Sequence, residues 1–291
     1  MDSTELLKKV RKIEIRTKGL VNQIFSGEYH SVFKGRGMAF SEVREYQFGD
    51  DIRTIDWNVS ARFNHPYVKV YEEERELTVM LVVDVSGSGE FGTVHQMKKD
   101  IAAELCAVLA FSALQNNDKV GVIFFSDIIE KFIPPKKGRT HILRIVRELL
   151  DFKPIHRKTN ITEGLRYLTS AIKKRSIAFL ISDFLDKDYE DALKIAARKH
   201  DLIAVHLFDP REAELAPVGL MRVLDAETGE ALWIDTSDKR VTDNYNKWWK
   251  QNQEERIRLF RRNGVDGIDI QIDQSYINPL VNFFRIRERR W

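Results

Sequence analysis

Three short stretches of this 291-residue chain set oxygen-bearing side chains at spacings that could hold a hard metal ion: Asp84-Val85-Ser86-Gly87-Ser88, Thr159-Asn160 and Ser182-Asp183. In the first, alternate residues carry one carboxylate and two hydroxyls, so a tight loop can turn all three oxygens inward. Mg2+ requires compact octahedral oxygen coordination and commonly keeps several waters, which suits such a set. Each stretch also has a plain structural account: Ser86 and Ser88 as caps of the next helix, Thr159 as an N-cap, Asp183 as the closer of a turn. Their joint occurrence at three strand ends favours the metal.

Two other chemistries compete. Gly87-Ser-Gly89-Glu-Phe-Gly92 reads as G-x-G-x-x-G between a strand and a helix, the pattern of a dinucleotide-binding turn. Against it, Glu90 would repel a bound pyrophosphate, and the acidic residue expected about 20 positions further on falls inside a helix. A Mg2+-dependent hydrolase would need a base from Glu90, Glu163 or Asp186, and the spacing singles out none. His-Glu-x-x-His and Gly-x-Ser-x-Gly are absent; His141, His156 and His200 read as solvated and His206 as a core residue. The expectation is a binding protein without turnover of its own, with nucleotide binding and metal-assisted hydrolysis as the alternatives.

The elements that must position these loops follow from hydrophobic periodicity. Leu77 to Val83 is a β-rich apolar run ending in Asp84 and predicts a central strand. A helix over about 94–116, a strand over 119–125 and a hairpin partner over 128–133, ending at Pro134, should follow. Next come helices over 139–151 and 160–174, a strand over 176–181, a helix over 188–199 and a strand over 202–208. Glu227-Thr-Gly-Glu230 between two β-like stretches predicts a hairpin insertion near 220–236. A helix over 243–262, a strand over 268–272 and a helix over 277–289 end the pattern. Such alternation implies an α/β fold with a Rossmann-like doubly wound, mostly parallel sheet flanked by helices. Ligands of these sheets gather beyond the carboxyl ends of the strands, near the switch point, where all three loops can meet.

Upstream, Leu6, Val10, Ile13, Leu20, Val21 and Ile24 space roughly as one helical face over 4–25. Residues 27–76 carry Gly35, Gly37, Gly49, aromatics and dense charge without a period, predicting an extended arm packed on the core. The expected division is 1–76 for helix and arm and 77–291 for the main domain.

Lys plus Arg is 47 and Asp plus Glu 44, a net charge of +3, too balanced to argue for nucleic acid. Arg256, Arg258, Arg261, Arg262, Arg285, Arg287, Arg289 and Arg290 stand near helix C-termini, where the helix dipole favours them. Trp248, Trp249 and Trp291 read as packing or interface groups. The single cysteine, Cys106, sits in an apolar run and reads as a buried thiol. The start, Met1-Asp2-Ser3-Thr4-Glu5, does not resemble a secretory signal, and no apolar run approaches the ~20 residues of a membrane span. The expected location is the cytoplasm.

Asp84-x-Ser86-x-Ser88, Thr159 and Asp183 together resemble the metal-ion-dependent adhesion site of the von Willebrand factor type A fold. The resemblance implies that Ser86, Ser88 and Thr159 ligate Mg2+ directly, with Mn2+ or Ca2+ as alternatives. It implies that Asp84 and Asp183 hold coordinated waters, and that one position is left for an acidic side chain of a protein partner. The upstream segment Phe40-Ser-Glu-Val-Arg44-Glu-Tyr46-Gln-Phe-Gly49-Asp50-Asp51-Ile-Arg53-Thr-Ile-Asp56-Trp57 resembles the signature of the bacterial domain of unknown function 58 family. Phe132-Ile-Pro-Pro-Lys-Lys-Gly-Arg139, Leu180-Ile-Ser-Asp-Phe-Leu185, Arg198-Lys-His-Asp201 and Asp225-Ala-Glu-Thr-Gly229 look similar too, so the likeness covers roughly residues 30–245. That family resemblance implies work beside MoxR-type AAA+ ATPases and other type A domain proteins, in maturing or remodelling protein complexes. Many members carry N-terminal membrane helices, which this sequence does not show, and Gly89 stands where type A domains are expected to have Met. In the arm, Arg44, Arg53 and Arg62 among Glu42, Glu45, Asp50, Asp51 and Asp56 predict internal ion pairs of small individual worth.

Overall fold

The computed structural model describes residues 10–11, 39–72, 76–92 and 97–290. The helical face over 4–25 apart from Val10, the glycines Gly35 and Gly37, the start of the helix expected from 94 and Trp291 lie outside the described residues. The chain divides into two compact units, one within 33–76 and one that holds everything from Leu77 onward.

In the smaller unit, where the sequence shows no period, β1 (Ala39–Glu45) pairs antiparallel with β2 (Tyr67–Glu72). A two-stranded ribbon has no face that burial forces to be continuously apolar, which is why alternation is missing. The acidic residues here are spent locally. Arg44 forks onto Asp50 through two 2.8 Å bonds. Asp51 accepts from the Arg53 amide, and Asp56 caps α1 (Trp57–Phe63) by accepting from the Asn58 and Val59 amides.

The larger unit is built on a six-stranded sheet. Its members are β3 (Thr78–Asp84), β4 (Lys119–Phe125), β5 (Ile129–Lys136), β6 (Ile177–Ser182), β7 (Asp201–Phe208) and β10 (Asp266–Gln271); β8 (Leu220–Leu224) and β9 (Ala231–Asp235) form a separate antiparallel hairpin. The sheet order is β10-β7-β6-β3-β4-β5, parallel throughout except for β5. The chain therefore grows outward from β3 in both directions, and the order reverses between β3 and β6. This is the doubly wound α/β fold, with its switch point at those two strands. Strands β3, β4, β6 and β7 are buried along nearly their whole length, so they read as continuous apolar runs rather than alternating ones. β5 runs through Pro134 and Pro135 to Lys136 instead of stopping at the first proline. It can do so because it is an edge strand, where a missing N–H costs no ladder bond.

Around the sheet lie α2 (Lys98–Gln115), α3 (Arg139–Asp151), α4 (Ile161–Ala171), α5 (Glu190–Lys199), the single turn α6 (Pro210–Ala213), α7 (Lys239–Arg262) and α8 (Ile277–Glu288). α2 is buried on most of its circumference, which explains an apolar run without a stripe. Cys106 lies within it, fully buried, and burial pushes its thiol up. Among the described residues no helix is long and apolar enough to cross a membrane. Several arginines fasten helices to the sheet: Arg256 of α7 meets Asp269 at 2.8 Å, and Arg287 of α8 meets Asp201 and Asp266. Trp249 is buried and Trp248 half exposed.

The histidines correct one expectation. His200 is not solvated: it is buried, with Nδ1 2.9 Å from Ser176 Oγ, and burial pushes it down to about 4. His141 is half-buried with Nε2 2.9 Å from the Val120 carbonyl, whereas His156 is exposed beside Asp127. His206 is a core residue, held 3.0 Å from Asp269.

A neutral buried histidine makes the fold acid-labile. The unfolded chain binds a proton near the ordinary pKa of 6.5 and the folded one only near 4. His200 thus stabilises the fold above that window and withdraws its contribution as pH falls through it. Chemical denaturation should show a loss on the order of 2 kcal/mol between pH 7 and pH 4.5, reduced in His200→Gln. Gly164 in α4 gives a second test. A Cβ there would stand 2.9 Å from the Phe125 ring, so Gly164→Ala should lower stability by about 1–3 kcal/mol despite the gain in helix propensity. An unchanged or raised Tm would show that the ring yields freely.

Candidate metal centre

β3 and β6 run side by side in register through Val83 and Ile181, so Asp84 and Ser182 leave the sheet together. Ser182 Oγ donates to Asp84 Oδ2 at 2.6 Å, and the Ser86 amide donates to Asp84 Oδ1 at 3.0 Å. Ser86 and Ser88 have their hydroxyl oxygens 3.1 Å apart. The Ser86 hydroxyl favours the charged form of Asp84, and that of Ser88 the charged form of Asp183. Asp84, Ser86, Ser88 and Ser182 are thereby linked, with Asp183 acting on Asp84 electrostatically. Ser86 stands at the N-cap of the short 3-10 turn Gly87–Glu90 but makes no side-chain cap bond, so its hydroxyl is left for other work.

The second loop reaches the first through the Gly87 amide, which donates to the Arg157 carbonyl at 2.8 Å. Its own shape is set by Glu130, whose Oε1 accepts from the Ile155 and His156 amides at 3.1 and 2.9 Å. The N-cap of α4 is Asn160, accepting from the Glu163 amide at 3.1 Å. Thr159 is not the cap, and its hydroxyl instead donates to Glu227 Oε1 at 2.6 Å. The third loop closes the triangle: Asp186 Oδ2 accepts from the Ile161 amide at 2.7 Å. Just after Asp183 the chain turns through Phe184 at φ 55, a conformation that costs a bulky residue about 1–3 kcal/mol. The Phe184 ring offsets this by packing edge-on to Phe260 with centroids 5.1 Å apart, and Asp183 Oδ1 accepts from the Leu185 amide at 3.3 Å.

Electrostatically the two carboxylates are unequal. Burial and the neighbouring charge of Asp183 push Asp84 up to about 7. Burial acts on Asp183 in the same direction, but the Lys98 ammonium, 3.1 Å from Oδ2, together with hydrogen bonds holds it below the usual carboxylate range. Lys98 is itself buried, and despite that desolvation its pKa is raised, because Asp183 and Glu212, the latter at 2.5 Å, surround it with negative charge. Among the described residues, Asp84 is therefore a carboxylate with no cation paired to it.

A divalent cation fits this arrangement. Among the described residues no three Asp, Glu, His or Cys side chains converge on a point, so the donors are hydroxyls flanked by two carboxylates, a hard-oxygen set. Ligands in cis positions of an octahedron with Mg–O near 2.0–2.1 Å lie about 2.9 Å apart. The Ser86 and Ser88 hydroxyl oxygens, at 3.1 Å, are spaced as such an edge. Ser86, Ser88 and Thr159 would hold the ion, with Asp84 and Asp183 behind them.

Sequence reasoning missed Lys98, Glu212 and Glu227. Lys98 and Glu212 lie 114 positions apart and carry no local signal; Glu227 stood within a noted motif, but nothing local tied it to Thr159. Nor does the glycine pattern over 87–92 behave as a phosphate cradle. The amides of Gly87, Gly89 and Phe91 donate to the carbonyls of Arg157, Ser86 and Ser88, so these three are not offered to a pyrophosphate.

Several known proteins are similar to this chain in sequence or structure. An uncharacterized protein of Mycobacterium bovis is 28% identical over 292 residues, covering 99% of this chain and 92% of that one. Among solved structures, the conserved hypothetical protein BatB from Bacteroides thetaiotaomicron is similar over 73% of this chain and 99% of its own, with 15% identity and a TM-score of 0.49. Proximal thread matrix protein 1 from the mussel byssus, solved with a zinc-occupied MIDAS motif, covers 46% of this chain and 38% of its own at 19% identity and a TM-score of 0.37. At such scores neither likeness bears on what this site binds. Residues 42–255, spanning the smaller unit's signature, the sheet and the hairpin, match the family described as "Protein of unknown function DUF58", and this doubly wound α/β chain belongs to that family.

Proposed function

We propose that this protein is a non-enzymatic, Mg2+-dependent protein-binding scaffold. Through a cation held at Asp84, Ser86, Ser88, Thr159 and Asp183 it captures an acidic side chain of a partner protein. The observation that carries this reading is the cluster at the switch point, in which Ser86 and Ser88 offer hydroxyls not spent on helix capping beside a carboxylate that no cation among the described residues pairs with. Membership in the family and the type A resemblance suggest the setting: an adaptor for a MoxR-type AAA+ ATPase, or for another type A domain protein, in maturing or remodelling complexes. With a partner that runs on ATP, the work would lie in the cytoplasm.

A hydrolytic reading has less support. Glu163 is half-buried and engaged with Arg166 at 3.3 Å, and the carboxylate of Asp186 accepts from the Ile161 and Lys187 amides. Neither is poised as a free base.

Asp84→Asn keeps the side chain's shape while removing its charge, so the variant should fold with a thermal transition close to wild type. Affinity capture from the source cell's lysate should retain an ATPase or another protein on wild type in Mg2+, and lose it both in EDTA and with Asp84→Asn. Identical eluates under all three conditions would sink the proposal, and so would phosphate-ester turnover lost on the same substitution.

A further inference from the structure

The turn that joins β8 to β9 rests on the candidate metal centre. Its tip is pre-shaped: Asp225 Oδ1 accepts from the Glu227 and Thr228 amides at 2.8 and 3.2 Å. The Asp225 amide donates to the Glu230 carbonyl, and Gly229, at φ 75, donates back to Asp225. This closed turn leaves Asp225, Thr228, Gly229 and Glu230 exposed, while Ala226 and Glu227 are half-buried. Two contacts account for the difference. The Ala226 carbonyl comes so near the first loop that a Cβ on Gly87 would stand 2.3 Å from its oxygen. Glu227 Oε1 accepts from Thr159 Oγ1 at 2.6 Å. Only a glycine at position 87 lets the tip come this close.

We propose that Glu227 is a ligand for the cation of this site, supplied by the chain itself, and that the hairpin is a displaceable cap over the position a partner's acidic side chain would take. The inference rests on the metal reading proposed above. Its physical basis is that the Glu227 carboxylate already touches one of the hydroxyls assigned to the ion, at a separation close to the edge of an Mg2+ octahedron, about 2.9 Å. A carboxylate beside such a hydroxyl gains far more from a divalent charge than from a neutral donor. A partner's acid then competes with Glu227, and its binding frees the hairpin. The freed strands carry Leu220, Leu224, Leu232 and Trp233, each about two-thirds exposed.

Mn2+ titration of the full chain, read by paramagnetic resonance of the free ion, tests this with wild type, Asp84→Asn, Glu227→Ala and Glu227→Gln. Wild type should bind one Mn2+ and Asp84→Asn should lose it. Both Glu227 variants should bind about tenfold or more weakly, and acetate should restore part of the affinity in Glu227→Ala but not in Asp84→Asn. Mn2+ should also slow amide exchange over 220–236 in wild type and not in Glu227→Gln. Wild-type affinity in both Glu227 variants, with Asp84→Asn still defective, overturns the cap and leaves the metal site standing. A loss in Glu227→Ala that acetate does not relieve makes Glu227 merely structural and likewise overturns it. No Mn2+ binding by wild type removes both readings together.

Discussion

Two carboxylates set side by side where adjacent parallel strands leave the sheet are the constraint to which the rest of this domain answers. Asp84 and Asp183 each make the other's ionisation costlier, and low access to water removes the screening that would relieve it. The protein settles half of that conflict internally. Lys98 gives up its own hydration to neutralise Asp183, and it is kept charged by drawing in Glu212 as well. Among the described residues Asp84 receives only dipoles, from Ser182 and Ser86, and its pKa is pushed up to about 7. A divalent cation is the simplest group that completes such a site, and the hydroxyls of Ser86, Ser88 and Thr159 are the oxygens it would use.

Bonds between the loops hold that arrangement together with the bonds within them. Gly87 to Arg157 ties the first loop to the second, Ile161 to Asp186 the second to the third, and Ser182 to Asp84 the third back to the first. The αL backbone at Phe184 is tolerated because the ring is buried against Phe260, so helix α7, far off in sequence, helps aim Asp183. Beneath the loops, strands buried on both faces provide a close-packed floor.

The sheet was legible because parallel strands covered on both sides must be apolar runs, and helices on their outer faces must alternate with them. Leu77 to Val83, Lys119 to Phe125 and Ile177 to Ile181 announce themselves that way, and Asp84 and Asp183 follow from being the first charged residues past such runs. Ser86 and Ser88 follow from their spacing. What sequence could not show is set by tertiary contact. Lys98 looks like any first-turn lysine, His200 sits at a helix end that reads as surface, and the ribbon of β1 and β2 has no buried face to impose a period. Glu227 lay within a recognisable turn, yet only folding brings that turn over Thr159.

The central claim, that these oxygens hold a divalent cation, is tested most directly by a crystal structure of the full chain grown with Mn2+ and measured for anomalous scattering. The account predicts a single strong peak within bonding distance of Ser86 Oγ, Ser88 Oγ and Thr159 Oγ1, with Asp84 and Asp183 in the surrounding layer. An ordered site with no peak there, at a Mn2+ concentration well above that of the protein, would contradict it.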